Sequence, residues 1–484
     1  MYHAYVTTLK NVRKHPNADR LLLGECFDNT VCVSLDFYEG QTVVYFPVDG
    51  QLSEEFAHMH HLCRKTKDGQ PDTGYLEPDK RNIRAIKLRG EKSDGLAMPL
   101  SCLEPFGDIS SLSIGDTVEV FNGHEICKKY IPKVKNVTPH KGGNHARKHK
   151  EPIAPLFAEH ADTEQLAYNL EAFKPGDLIE ITLKVHGTSG RTGYLPKLQG
   201  YNDTFSCKAS NALRRIFTKM LHFSEPEPYH NGDPIYDWGY VTGTRRVVLD
   251  TFDGGFYGNN HFREPHARFF EGKLWKGETV YYEIAGFTDS GAPIMPSVSN
   301  KPTNDKKFIK QYGETTTFSY GCNPGGWQIH PPKEDDPDNV IGYIDETPQS
   351  RIFVYRMTMT NPDGEVVEYT PDFMRYRCEQ MGAECVPVFT KFYLDPVDLD
   401  MDERSPGEIV KDIAEKYYDG PDPIGKTHVR EGVVVRIVNR PKFTAYKHKN
   451  WYFKCIEGIA KDSASAPDLE EAQEVEENDE YGEN

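Results

Sequence analysis

The sequence predicts an α+β protein in which an all-β region precedes a larger region of mixed strands and helices. The first 120 residues contain short runs of β-forming residues separated by Gly, Asp or Asn, and they show no long helical period. From about residue 152 to residue 457, runs with the period of a strand alternate with runs with the period of a helix. The length of 484 residues suits two or three domains.

Four runs define the first region, residues 1–122, as a small β-barrel. They are VCVSLDF, QTVVYFPV, NIRAIKLRG and DTVEVF. The next segment, residues 123–151, is predicted to be a basic linker, because Lys128–Lys150 is rich in Lys, Arg and His and is interrupted by Pro and Gly.

The second region, residues 152–460, is predicted to form the larger domain. Asn211–Phe223 has apolar residues at helical spacing. Ser405 and Glu408 form a capping box with Pro406 at the first helical position, which predicts a helix reaching about Tyr418. Residues 288–350 contain eight Pro and six Gly and are predicted to be a mostly irregular insertion.

Composition and charge restrict the class of protein. The chain has no run of 18 apolar residues and no apolar N-terminal leader, so we expect a cytoplasmic protein with no membrane partner. The ten cysteines are scattered singly without a CxxC pair, which disfavours a disulfide scaffold and a four-cysteine zinc site. The net charge is −17, but nine acidic residues lie between Asp468 and Asn484, in the tail of residues 461–484 that is predicted to be disordered. A surface that binds a polyanion is therefore compatible with this total.

The segment from Leu178 to Ser189 is the most informative one for chemistry. Apolar and polar residues alternate up to Lys184, which predicts a strand, and Gly187 ends it. Lys184 and His186 then share one face. A lysine at a strand end, enclosed by protein, can act as a nucleophile, although a surface lysine before a turn is the commoner case.

The sequence KVHGTS resembles motif I of the covalent nucleotidyltransferases, which include ATP-dependent DNA and RNA ligases and mRNA-capping guanylyltransferases. Five further segments resemble the later motifs of this superfamily in the expected order, and they are VTGTRR ending at Arg246, VYYE ending at Glu283, FVYR ending at Arg356, REGVVVR starting at Arg430, and YKHKN starting at Tyr446. The resemblance implies an ATP-grasp-like nucleotidyltransferase domain of ligase type, with antiparallel sheets and flanking helices.

The lysine of such enzymes forms a covalent AMP adduct by attacking the α-phosphate of ATP. Carried over to this chain, the resemblance implies catalytic roles for Lys184, Lys447 and Lys449. Lys447 and Lys449 are two apart on a predicted strand, so both can face the α-phosphate. The resemblance also implies a nucleotide-binding set and a metal, Mg²⁺ or Mn²⁺, held by Glu283 and Glu431. The nucleotide-binding set comprises His186, Gly187, Arg245, Glu283, Tyr355 and Glu431.

Each of these assignments has a structural alternative. The lysine pair could line a solvated strand face, and Glu283 could form an ordinary salt bridge. Tyr355 could pack in the core, while Phe353 on the same strand face competes with it for the adenine.

Within the superfamily, Lys-x-His-Gly-Thr resembles the nick-sealing and editing-type RNA ligases, whereas DNA ligases and capping enzymes typically carry Lys-x-Asp-Gly. The resemblance implies ATP-dependent joining of an RNA 3′-OH to a 5′-phosphate, in a nicked duplex or a tRNA. A DNA ligase, a capping-type guanylyltransferase and a non-enzymatic RNA- or tRNA-binding protein remain alternatives. The chain departs from the usual motifs at Leu183, Ser189 and Arg356, and in its long insertion.

The N-terminal region shows a second resemblance. VRKHPNADRL from Val12 and IKLRGEKSDGL from Ile86 are similar to the two ends of tRNA-binding OB domains. An OB-fold barrel before the catalytic domain is implied, with Lys87, Arg89 and Lys92 touching RNA phosphates. A purely structural barrel with exposed lysines is the alternative.

Overall fold

The structure is a computed structural model of the whole chain. It describes residues 2–27, 29–48, 50–65, 70, 74–89, 91–130, 152–160, 163–220, 228–253, 260–295, 297, 306–326, 328–330, 343–345, 347–396, 404–456 and 460–461. Residues 131–151 of the predicted linker and residues 462–484 of the acidic tail lie outside this part of the chain.

The first region consists mainly of short strands. They are β1 Ala4–Thr8, β2 Lys10–Lys14, β3 Leu22–Cys26, β4 Asn29–Val33, β5 Thr42–Phe46, β6 Gly50–Leu52, β7 Ala85–Leu88, β8 Glu91–Asp94, β9 Leu96–Pro99, β10 Thr117–Val118, β11 Val120–Phe121, β12 His124–Glu125 and β13 Cys127–Lys129. Most of them pair antiparallel, in the orders β10-β1-β5-β9 and β2-β3-β4, with smaller sheets beside them. Two apolar cores fill this region, one around Phe46 and Phe56 and one around Tyr45.

The strand pairing of the first region continues past residue 122. Strand β13 pairs with β6, with Cys127 opposite Leu52, and both residues are fully buried in the first core. Tyr168 packs against the second core, where its ring lies 5.2 Å from that of Tyr5. The first region therefore contacts the start of the second directly.

The second region contains fourteen strands within the described residues. They are β14 Glu164–Gln165, β15 Leu178–Lys184, β16 Thr188–Tyr201, β17 Pro234–Gly243, β18 Val248–Leu249, β19 Glu278–Gly286, β20 Gln328–His330, β21 Tyr343–Asp345, β22 Ser350–Thr360, β23 Val366–Glu368, β24 Val388–Tyr393, β25 Gly432–Ile437, β26 Ala445–Lys449 and β27 Ala460–Lys461.

Two large sheets dominate this second region. One has the order β14-β26-β25-β15-β24 and the other has the order β18-β17-β16-β19-β22-β23. All pairings within them are antiparallel except that of β14 with β26. The predicted α+β class with antiparallel sheets is confirmed.

Strand β15 shows the predicted alternation. Ile179, Ile181 and Leu183 are at most 1% exposed, and they contribute to cores on one face of the sheet. The even-numbered residues, including Thr182 and Lys184, face a cleft on the other side. Burial of the odd-numbered face therefore fixes the register and directs Lys184 into the cleft.

Seven α-helices lie in the described residues. They are α1 Glu54–Met59, α2 Phe205–Met220, α3 Glu264–Phe269, α4 Lys306–Tyr312, α5 Pro371–Met381, α6 Pro406–Glu415 and α7 Trp451–Ile456. Short 3-10 helices occupy Leu100–Phe106, Leu166–Tyr168, Leu170–Ala172 and His261–Arg263. None of the helices in this part of the chain is both long enough and apolar enough to cross a membrane.

The two predicted helices have different outcomes. Ser405 and Glu408 form the predicted capping box, and α6 buries Val410 and Ala414, although it ends at Glu415 and not near Tyr418. The helix predicted over Asn211–Phe223 begins earlier, at Phe205.

The predicted insertion, residues 288–350, is described only in part. Its described residues include α4 and the β20–β21 hairpin. They also place Phe308, Phe318 and Tyr320 in the core beneath Leu183. The sequence does not indicate this packing, because prolines and glycines surround these aromatic residues.

Candidate active site

A cleft lies between the two large sheets of the second region. Its lining residues include Thr182, Lys184, Ser189, Arg245, Glu283, Tyr355, Val434 and Arg436. Four of the predicted site residues, from segments up to 171 positions apart in the sequence, thus meet in one cavity. A concave pocket with a few convergent polar groups is the usual form of a small-molecule site.

Strand register brings Lys447 and Lys449, the other two lysines predicted to be catalytic, to the face of Lys184. Lys184 lies opposite Gly432, which in turn lies opposite Lys449. Thr182 lies opposite Val434, which in turn lies opposite Lys447. Directly opposed residues of antiparallel strands point to the same face, so all three lysines share it.

Gly432 allows Lys184 and Lys449 to converge, because it places no side chain between them. Its φ of 150° lies in the region that favours glycine, and an added Cβ would lie 2.1 Å from the carbonyl oxygen of His448. Glycine is therefore required at position 432 for two reasons. The backbone φ favours it, and a side chain there would stand between the two lysines.

Glu431 is fully buried between the converging lysines. Its Oε1 lies 2.8 Å from Lys184 Nζ and 3.3 Å from Lys449 Nζ. Its Oε2 lies 3.7 Å from His186 Nδ1. A buried carboxylate needs such compensation, since an isolated charge is very unfavourable there. Two lysine amines thus surround one carboxylate.

The turn after Lys184 has room only for glycine. A Cβ on Gly187 would lie 2.2 Å from the carbonyl oxygen of Ile284 and 3.0 Å from Glu283 Cγ. Thr188 pairs with Ile284 at the start of β16, so the chain turns tightly against β19. Gly187 therefore lets the lysine-bearing segment pack directly on the strand that carries Glu283.

Ser189 connects Glu283 with Arg245. The Ser189 hydroxyl lies 3.4 Å from Glu283 Oε2, and Arg245 Nη2 lies 3.4 Å from the same hydroxyl. Both Ser189 and Glu283 are 8% exposed. Glu283 is therefore buried beside the cleft, next to the Ser189 hydroxyl.

Buried Arg191, which the sequence analysis missed, holds the segment that carries Arg245. Its guanidinium donates to the carbonyl oxygens of Thr244 at 2.8 Å and Arg246 at 2.9 Å. Burial lowers the pKa of Arg191 to about 10, so the side chain stays charged at neutral pH. A charged residue on a strand otherwise gives no sequence signal for this internal role.

Tyr355 and Phe353 occupy different environments. Phe353 is 1% exposed and packs in the core with Leu183 and Tyr320, whereas Tyr355 lines the cleft. The Tyr355 ring lies 5.0 Å from that of His160 in an edge-to-face arrangement. Burial, followed by the charge of Glu283, raises the pKa of Tyr355, so its phenol is neutral.

Arg356 follows Tyr355, where an Asp is expected from the motif resemblance. It forms an ion pair with Glu368 and donates from Nη1 to His160 Nδ1 at 3.1 Å. This contact holds His160, which also lines the cleft.

Tyr320 of the insertion reaches the turn after Lys184. Its hydroxyl accepts a hydrogen bond from the backbone N–H of His186 at 2.7 Å. The ring of Phe318 packs against the His186 ring at 4.6 Å. Burial, followed by the charge of Glu431, raises the pKa of Tyr320 well above its usual value. The described part of the insertion therefore supports the Lys-x-His-Gly segment.

The predicted RNA-binding residues lie on a separate hairpin, β7–β8. Arg89 is exposed, has a positive φ of 46°, and donates to the carbonyl oxygen of Asn17 at 3.4 Å. The backbones of Lys87 and Lys92 pair with each other, but their side chains lie outside the described residues.

Comparison with known proteins gives similarity only to solved structures. No protein-family model and no curated protein matches the chain. Two structures of Naegleria gruberi RNA ligase variants, each with ATP and Mn, align with a TM-score of 0.50. One is 14% identical and covers 92% of this chain and 96% of its own, and the other is 15% identical and covers 93% and 97%. At this identity the likeness concerns the fold alone, and the chain shares the fold of these RNA ligase structures.

Proposed function

We propose that the protein is an ATP-dependent RNA ligase that works through a lysyl-AMP intermediate on Lys184. The observation that carries this proposal is the convergence of Lys184 and Lys449 on buried Glu431, beside a cleft that also contains Glu283, Arg245 and Tyr355. Burying charged groups is thermodynamically unfavourable, and a non-enzymatic RNA-binding protein on a degenerate ligase fold would gain no function from this cluster.

In the first step, the neutral amine of Lys184 attacks the α-phosphorus of ATP. A P–N bond forms, the bond between the α-phosphorus and the bridging oxygen breaks, and pyrophosphate leaves. Glu431 Oε1, at 2.8 Å from Nζ, is placed to accept the proton that the lysine loses. Lys447 and Lys449 face the same side of the sheet and stabilise the negative charge on the phosphate.

In the later steps AMP passes to RNA. An oxygen of the RNA 5′-phosphate attacks the AMP phosphorus, and the P–N bond to Lys184 breaks. The RNA 3′-OH then attacks the activated 5′-phosphate, and AMP leaves. Both transfers need cationic groups around the phosphates, which the lysines and Arg245 supply.

A divalent metal, Mg²⁺ or Mn²⁺, fits the residues present. Both oxygens of Glu431 are buried and make ion pairs without a well-aligned hydrogen bond, so they retain capacity for a cation. The described residues contain no cluster of three or more metal-ligating side chains. Glu283 and Glu431 would hold the ion together with ATP phosphates and water, and the ion would neutralise phosphate charge.

The choice of RNA and ATP over DNA or GTP rests on the Lys-x-His-Gly form of motif I and on the fold. We further propose that the first region is an OB-fold module that binds RNA through Lys87, Arg89 and Lys92. Its expected limit at residue 122 moves to Lys129, because β13 pairs with β6, and the catalytic region keeps its expected limits of 152–460. The substrate ends are a 3′-OH and a 5′-phosphate in a nicked duplex or a cleaved tRNA, and the protein acts in the cytoplasm.

The test is incubation of the full chain with α-labelled ATP, or separately GTP, followed by denaturing electrophoresis. We expect label from ATP only. The purified protein is then given nicked duplexes that differ in whether the 3′-OH strand is RNA or DNA, and we expect the RNA nick to be sealed faster. Label from GTP alone would indicate a capping enzyme, and faster sealing of the DNA nick would indicate a DNA ligase.

The lysine pair provides a second test. Lys447→Ala and Lys449→Ala are each expected to reduce labelling by about tenfold or more, because each removes a cation that faces the phosphate. Lys442→Ala is the matched control, since Lys442 is exposed just before the same strand. Equal labelling of all three variants would contradict the assignment of these lysines.

A further inference from the structure

Helix α2 exposes an apolar surface far from the cleft. It lies in the connection between strands β16 and β17, which pair along nearly their whole length. Phe205 is 87% exposed, Met220 is 69% exposed and Ile216 is 61% exposed. Leu213 and Phe217 are also more than half exposed. A helix of a soluble domain normally buries this stripe, so its exposure indicates an interaction site.

All the charged residues of α2 are cationic. The helix carries Lys208, Arg214, Arg215 and Lys219, and it has no Asp or Glu. At 3.6 residues per turn, the exposed apolar residues form one arc, and the cations flank it on both sides. Long cationic side chains at the edges of an apolar arc can extend toward anionic groups while the arc itself is buried.

The opposite side of α2 is already occupied. Cys207 is 6% exposed, and Asn211 forms two hydrogen bonds with the backbone of Tyr229, at 2.6 and 3.2 Å. The helix is therefore held on this side to the chain that returns to β17, and among the described residues its apolar side faces away from that contact.

We propose that α2 docks the protein on an anionic lipid surface, with the apolar residues among the acyl chains and the four cations at the headgroups. A helix with an apolar face, a basic polar face and modest overall hydrophobicity has this property. The arrangement is a surface contact that needs no membrane-spanning segment. It therefore departs from the expectation of no membrane partner, which rests on the lack of a long apolar run.

Three other occupants fit less well. RNA would neutralise the cations but leave the aliphatic side chains in water. A second copy packed helix against helix would bring eight cations together without an acidic residue from either helix. A protein that wraps around its target helix is blocked by the segment around Tyr229.

The position of α2 leaves the cleft accessible. Strand β16 begins at Thr188, four residues after Lys184, and ends at Tyr201, just before the helix. Thirteen residue steps of a strand span roughly 40 Å. A protein docked through α2 can therefore present the cleft between the sheets to a soluble substrate.

The experiment is co-sedimentation of the full chain with vesicles of phosphatidylcholine, with or without about one third phosphatidylserine. Each cation near an anionic surface contributes about a fivefold preference, so Lys208 and Lys219 by themselves predict a preference of roughly 25-fold or more for the anionic vesicles. Ile216→Glu should weaken that binding by about tenfold or more, because it places a charge in the apolar arc. Leu35→Glu, at a 56% exposed site in the first region, should bind as the unchanged protein does.

The proposal is overturned by any of three results. The first is equal binding to neutral and anionic vesicles, or to neither. The second is unchanged binding of Ile216→Glu with an unchanged melting temperature. The third is loss of self-association in Ile216→Glu, which would identify a second copy as the occupant. No readout depends on ligase activity, so failure here is distinct from failure of the proposed function.

Discussion

Removing the hydroxyl of Tyr320 tests whether the insertion supports the active-site turn. Tyr320→Phe keeps the ring, which is 1% exposed, and removes only the oxygen that accepts from the His186 N–H at 2.7 Å. The Phe ring leaves that N–H buried without its partner. The cost of an unsatisfied buried donor is about 1–3 kcal/mol, and we expect the free energy of unfolding to fall by this amount.

The functional effect should exceed the loss of stability. His186 follows Lys184 by two residues, so a shift of its backbone changes the direction of the lysine. A displacement of about 1 Å at a reacting group can lower a rate by about a hundredfold. We therefore expect labelling of the protein by α-labelled ATP to slow between about tenfold and a hundredfold under conditions in which the variant is fully folded.

Tyr2→Phe is the matched control. The Tyr2 hydroxyl donates to the carbonyl oxygen of Pro47 at 2.7 Å, in the core of the first region. Its removal should reduce stability by a similar amount and leave the labelling rate unchanged. Urea denaturation and single-turnover labelling of both variants decide the matter. If Tyr320→Phe loses stability but labels at the normal rate, Tyr320 contributes to folding only.

Three further results are expected. Gly187→Ala should lower the free energy of unfolding by about 1–3 kcal/mol, because its Cβ would meet the backbone of Ile284 at 2.2 Å, whereas Gly239→Ala has its nearest contact at 3.3 Å and should be tolerated. Burial and the charge of Arg263 lower the pKa of His266 to about 4, so stability is fully present above pH 6.5 and is lost as the pH falls toward 4. Between pH 7.5 and 5 the unchanged protein should lose about 2 kcal/mol more than His266→Gln in urea titrations, and equal losses would contradict this. Chelation of divalent metal should abolish labelling from ATP, and persistent labelling would show that the carboxylates need no metal.

The strands around the cleft could be predicted because their apolar residues recur at every second position and these residues are the buried ones. The alternation from Leu178 to Lys184 is a local property, and it survives in the structure with Ile179 and Ile181 fully buried. The capping box at Ser405 is likewise a local signal. Helix α2 shows the limit of such signals, since its period is correct but its apolar side is exposed.

The candidate site could be predicted as a set of motifs but not as a geometry. Strand register places Lys449 beside Lys184, and no sequence property reveals that Gly432 leaves the space between them. Tyr320 could not be identified, because its contact with His186 joins residues 134 positions apart and its surroundings have no period. The sequence predicts Arg191 only as an ordinary strand residue. Its role is shown by its hydrogen bonds to backbone carbonyl oxygens in the structure.

The most direct test of the account is to find where AMP is attached. The full chain is incubated with ATP and Mg²⁺, digested, and its peptides are analysed by mass spectrometry, with Lys184→Arg as the control. The account predicts a single adenylylated peptide that contains Lys184, and no adduct in the variant. An adduct on Lys447 or Lys449, or undiminished adenylylation of Lys184→Arg, would contradict it.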